Sequence, residues 1–116
     1  MNYNFKILNN TYKTINYINK LLINYPNKEI VLKNNIEKNN YDWIESIFAF
    51  NINDSWRIKE KYLKDILIKL SMCEFYIKIS YEKKIISKKK FIVIGNYLLE
   101  IRRMVYGLKK REESEQ

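Results

Sequence analysis

A chain of 116 residues and 14.2 kDa fits one domain. Apolar residues make up 47% and charged residues 30%, with a formal net charge of +9, so the chain can build a core and is not a disordered tail. Two glycines and one proline disfavour a many-stranded sandwich or barrel, and the absence of histidine with a single cysteine removes the commonest general base, the commonest metal ligand and any internal disulfide.

Four apolar segments follow one another. The first, about Asn4 to Asn24, spaces Phe5, Leu8, Tyr12, Ile15, Ile18 and Leu22 by threes and fours, which predicts a helical stripe. Tyr25-Pro26-Asn27 ends it, because proline disfavours helical geometry in the preceding residue. The second segment, about Lys28 to Phe50, carries Leu32, Ile36, Trp43, Ile44, Ile47 and Phe50, with Asn39 and Asn40 interrupting its stripe. The tract from Asn51 to Ser55 is polar and turn-forming, and Asp54 or Ser55 can cap the next helix. The third segment, about Trp56 to Lys83, holds Ile58, Tyr62, Ile66, Leu70, Cys73, Ile77 and Tyr81. Ser87 then suits the N-cap of a fourth helix reaching about Lys110, with Phe91, Ile94, Leu98, Ile101, Val105 and Leu108 as its stripe.

Alternation at Ile77, Ile79 and Tyr81, and the run FIVI before Gly95-Asn96, imitate strands over four or five residues. The helical stripes persist for about twenty residues and outweigh them. The expected fold is therefore all-α: an antiparallel up-down-up-down four-helix bundle over residues 1–111, with 112–116 as a polar, fraying tail. Gly95 interrupts the fourth helix at about 1 kcal/mol relative to alanine, which close approach of a neighbouring helix would explain. Gly107 reads as a C-terminal stop.

No window matches a phosphate-binding loop, a dinucleotide fingerprint or a calcium loop, and Cys73 in LSMCEF reads as a buried inert thiol. A catalytic role, a cofactor and a metal are not expected. The opening residues lack a signal-peptide core, and no apolar run spans a membrane, so a cytoplasmic protein is expected.

Charge offers the main functional clue. Residues 85–111 alone carry a net +7, and Lys88, Lys89 and Lys90 stand at a helix start, where the dipole disfavours cations. Arg102, Arg103, Lys109, Lys110 and Arg111 complete a candidate surface for nucleic-acid phosphates. The two arginines rank first, because guanidinium suits bidentate phosphate contact and only four arginines occur. Their separation of about 100° requires at least one to face outward. Two other readings stay open: a solvated lysine face, and an AT-rich codon bias that enriches Lys, Asn, Ile and Tyr. Tyr3, Tyr17, Tyr41 and Tyr97 fall off the stripes and predict a second apolar face, hence self-association.

The stretches NYPNKEIVLKNNIEKN, RIKEKYLKDILIKLSMCEFYIKISYEKKIISKKKF and NYLLEIRRMVYGLKK resemble, in order and spacing, a small bacterial four-helix-bundle family. It includes accessory variability proteins of diversity-generating retroelements and proteins encoded in intervening sequences of large-subunit ribosomal RNA. Leu98, Glu100, Ile101, Arg103, Met104, Gly107, Leu108 and Lys110 fit its last-helix pattern, while Tyr106 replaces the first of a frequent glycine pair. The resemblance implies a basic homopentameric ring. It further implies an accessory subunit that binds template RNA and a reverse transcriptase during mutagenic cDNA synthesis. The alternatives are an RNA-binding protein of the intervening-sequence type and an oligomeric protein-interaction scaffold; RNA is the first nucleic-acid partner expected and DNA the second.

Overall fold

The computed structural model describes residues 3–115, without the side chains of Tyr3 and Asn4. Four helices account for nearly all of them: α1 (Tyr3–Leu22), α2 (Ile30–Ile52), α3 (Trp56–Glu82) and α4 (Lys88–Ser114), with a single 3-10 turn at Asn27–Glu29 before α2. Each break falls where the polar or proline-containing tracts predict it. Ser87 caps α4, its Oγ accepting from the Lys90 N–H at 3.2 Å. Ser55 occupies the N-cap of α3 in extended geometry, but its side chain makes no capping bond.

Two connections are tied down. After α3, the Ile85 N–H donates to the Ser80 carbonyl and the Lys84 N–H to the Tyr81 carbonyl, both at 2.9 Å, which is the Schellman closure. That closure puts Lys84 at φ 63°, a left-handed position where glycine is the usual residue. Between α1 and α2, the buried Tyr25 donates its hydroxyl to Ser80 Oγ at 2.8 Å, and Ser80 donates to the Tyr76 carbonyl. At the opposite end, Lys59 bonds the Phe50 carbonyl at 3.1 Å and lies over the Phe50 ring.

Helices adjacent in the chain pack together, and α1 closes the ring onto α4, while the diagonal pairs stay apart among the described residues. Neighbours run antiparallel: Glu29 meets Lys83, Asn39 meets Lys69, Glu74 meets Arg102 and Asn10 meets Met104. The result is a four-helix bundle shaped as a rod of 48 × 23 × 20 Å. Its axis is filled by Ile18, Ile36, Trp43, Leu70, Ile101 and Val105, all essentially inaccessible to solvent.

The stripes differ from expectation at their ends. In α1 the inward face runs Ile7, Thr11, Thr14, Ile15, Ile18, Leu22, whereas Phe5 and Tyr12 are exposed. Threonine tolerates this burial where its hydroxyl bonds a carbonyl one turn back, as Thr14 does to Asn10 at 2.8 Å. In α3 Leu63 replaces Ile58 as the first core residue. Asn39 and Asn40 do not interrupt the α2 face but are buried in it, and Asn39 Nδ2 donates to the Lys69 carbonyl at 3.0 Å. A Cβ added at Gly95 would meet nothing within 4 Å, so no helix of this chain requires that glycine. Gly107 is not a stop, because α4 continues to Ser114, supported by Lys109–Glu113 and Arg111–Glu115 one turn apart. Residues 112–114, expected to fray, belong to this helix, and Gln116 lies outside the described residues.

Candidate nucleic-acid interface

The eight candidate cations separate along α4. Lys88, Lys89 and Lys90 are exposed at its start, and Lys109, Lys110 and Arg111 lie about 30 Å away at roughly 1.5 Å per residue. Of the central pair, Arg103 is exposed and faces Glu100 at 4.0 Å. Arg102 is committed elsewhere: its guanidinium binds Glu74 and donates to Ser71 at 3.2 Å, joining α4 to α3. One of the two arginines thus points outward and the other is an inter-helix tie. A single contiguous patch built from all eight does not exist.

The topology assembles a different group. The α1–α2 and α3–α4 turns lie at the same end, held together by Tyr25–Ser80 and Glu29–Lys83 at 3.0 Å, while the Tyr81–Phe91 stack at 4.5 Å ties α3 to α4 there. Lys20, Lys28, Lys83 and Lys84 therefore join Lys88, Lys89 and Lys90, all exposed, against only Glu29 and Glu82 among the described residues. The left-handed backbone at Lys84 lies in the α3–α4 turn at this end. At the opposite end, Lys109 and Arg111 face Glu113 and Glu115, so much of the positive field is compensated locally. Sequence reading missed Lys20 and Lys28 because they lie more than fifty residues from α4 in the chain. The antiparallel order of four helices was the available signal, since it requires those turns to be neighbours.

Other chemistry is sparse. Cys73 is buried and desolvation pushes its thiol up to about 12, as expected of a packing residue. Between α2 and α3, Lys38 bonds Asp42 at 2.8 Å and Lys69 stands 3.9 Å from the same carboxylate, which Lys38 holds below its usual range. Among the described residues no group of three or more acidic or cysteine side chains could hold a metal ion. No helix among them is long and apolar enough to cross a membrane.

The off-stripe aromatics divide. Tyr17 and Tyr97 pack edge to face across α1 and α4 at 6.0 Å, so this chain already uses them. Tyr41 is exposed, and the Tyr3 side chain lies outside the described residues. No protein-family model matches the chain, and no curated protein matches it in sequence.

Proposed function

We propose that this bundle is a non-enzymatic RNA-binding subunit that engages phosphates with its turn end. The carrying observation is the convergence of seven exposed lysines from α1, the α1–α2 turn, α3 and α4 at one end of the rod, against two carboxylates. Cations gathered on one rigid surface displace condensed counterions from phosphates, and binding then weakens steeply with salt. The finer reading rests on the resemblance of the last helix: an accessory subunit of a diversity-generating retroelement, self-associated into a ring, that holds template RNA and the reverse transcriptase. DNA binding and a role in ribosomal intervening sequences use the same surface chemistry. A scaffold of self-associated bundles is the second reading, favoured by the exposed apolar side chains Ile68, Phe75, Leu99 and Tyr106.

The test is a titration of a structured RNA, followed by fluorescence anisotropy over a range of salt. The triple variant Lys88→Glu, Lys89→Glu, Lys90→Glu keeps its helicity, since acidic residues suit a helix start. It is expected to lose at least about tenfold in affinity and to show a shallower salt slope. Unchanged binding by this variant, or no binding by the parent at physiological salt, overturns the RNA reading. Arg102→Glu is a poor probe, because it sets a second carboxylate beside that of Glu74. A reverse-transcriptase gene beside this one, and co-purification of its product with the bundle, test the finer role separately.

A further inference from the structure

The lysine-rich turn end opens onto a groove that runs up the rod between α2 and α3. Two hollows make it, one of about 290 Å³ next to the turns and one of about 230 Å³ above it, and Asn35 and Tyr76 line both. Glu29 and Lys83, paired at 3.0 Å, stand at the lower mouth, and Leu32 and Ile79 wall the lower hollow. The upper hollow carries Lys38, Asp42 and Lys69. From Lys83 to Lys69 the groove follows α3 for about 21 Å, at roughly 1.5 Å per residue.

The lining matches the parts of an unpaired nucleotide. Tyr76 is half-buried, packed against the core on one side and lining both hollows on the other, so its ring is a fixed platform on which a base can stack. Buried Asn39 spends its amide N–H on the Lys69 carbonyl at 3.0 Å. That leaves exposed Asn35 as the amide that can meet a base edge, with a donor and an acceptor on one group. Lys38 at 2.8 Å and Lys69 at 3.9 Å share the single carboxylate of Asp42, so the upper hollow keeps one uncompensated positive charge for a phosphate. One turn farther from the turn end stand Glu45 on α2 and Asp65 on α3, and these carboxylates limit a polyanion to the stretch below them.

We infer that the α2/α3 groove holds an unpaired, single-stranded segment of the RNA whose phosphates the turn end binds, with one base stacked on Tyr76. This rests on the proposed RNA-binding function and names the part of the RNA that leaves the turn end. Neighbouring helices stand roughly 8–10 Å apart, so the furrow between them admits bases one at a time and excludes a duplex. An apolar helix is a poor occupant, since it would strip water from Asn35, Lys38, Asp42 and Lys69 without replacing their hydrogen bonds. The hollow between α1 and α2 is lined by no charged side chain and has nothing to hold a phosphate.

A blunt RNA hairpin, compared with the same hairpin bearing an overhang of about eight unpaired nucleotides, separates the two parts of the surface. In anisotropy titrations the overhang is expected to tighten binding by the parent at least about fivefold, the gain from one stacked base. Tyr76→Leu keeps an apolar side chain against the core and removes the stacking face. It is expected to bind the blunt hairpin like the parent and to lose the gain from the overhang. An abasic overhang is expected to lose that gain with the parent itself. Circular dichroism checks the fold, and if Tyr76→Leu does not fold, Asn35→Ala at an exposed position takes its place, weakening the overhang complex alone. The groove assignment is overturned if the overhang adds nothing, if the abasic overhang binds as tightly as the natural one, or if the folded variant keeps the full gain. In each of those cases the hold of the turn end on the hairpin stands. A parent that binds neither RNA removes the RNA reading itself, and this inference with it.

Discussion

Cys73 shows how the interior treats a single ionisable group. Its thiol is buried among the apolar residues of α3, and desolvation raises it from 9.0 to about 12. The folded value lies above the unfolded one, so the folded state holds its proton to higher pH. The stabilisation this provides is complete below pH 9.0 and is lost as pH climbs toward about 12. Tyr25, raised from 10.0 chiefly by burial, acts in the same direction at the upper end of that window. Urea unfolding at successive pH values is expected to show stability falling above pH 9.0, with a shallower fall in Cys73→Ala. The native thiol should also stay unmodified by a disulfide reagent that reacts fully in denaturant. An equally steep decline in both proteins would show that Cys73 is not the titrating group. Burial of this cysteine was readable from its helical spacing, because an apolar stripe passes through it. Arg102 was not readable in that way. Its outward candidacy depended on what α3 presents opposite it, and Glu74 is twenty-eight residues away.

Within α4, two glycines that the sequence reads differently, Gly95 as a close approach and Gly107 as a stop, are both ordinary helical residues. Gly107 is simply a helical residue inside a longer helix, since ion pairs one turn apart extend α4 past it. Gly95 is an exposed helical residue whose Cβ would touch nothing within 4 Å. Gly95→Ala is therefore expected to stabilise the isolated bundle by about 1 kcal/mol, because alanine restricts the unfolded chain and favours the helix. In a domain of this size that amounts to a rise of about 4 °C in Tm. A thermal melt followed by circular dichroism measures it. A drop in Tm there would mean that something inside the chain needs this glycine. The expectation of a close neighbour within the chain failed because periodicity gives the angular position of a residue and not the distance to the next helix. At 120° or so from the α4 core line, a residue can face either a tightly packed flank or an open groove.

Charge is a property of the whole rod. A net +9 on 116 residues favours the expanded state through self-repulsion, and the turn end concentrates much of it. Raising salt from about 20 mM to about 300 mM shortens the Debye length from about 20 Å to about 6 Å, which screens repulsion between neighbouring lysines. Thermal melts of the free protein are expected to shift upward over that range, even as affinity for RNA falls. A Tm that falls with salt would instead assign net stabilisation to ion pairs such as Glu29–Lys83 and Arg102–Glu74. The same opposition of trends separates a phosphate-binding surface from lysines that are merely solvated. Both raise Tm with salt, and only the first loses a ligand.

The number of helices, their breaks and most of their inward faces were legible in the order of residues. A helix buries one stripe, and the stripe recurs every three or four positions whatever the neighbours are. The Pro26 break, the polar tract at 51–55 and the Ser87 cap are likewise local, since each acts on backbone within a turn of itself. Every property that depends on residues far apart in the chain required the assembled bundle. Asn39 and Asn40 looked like interruptions until a carbonyl of α3 came within reach of Asn39, and the Phe5–Tyr12 row looked like core until Thr11 and Thr14 took its place. Lys20 and Lys28 joined Lys88, Lys89 and Lys90 through the antiparallel order, and Arg102 left that surface by pairing with Glu74. Local sequence decides conformation over about one helical turn, while the surface available to a partner is decided by which turns packing brings to the same end.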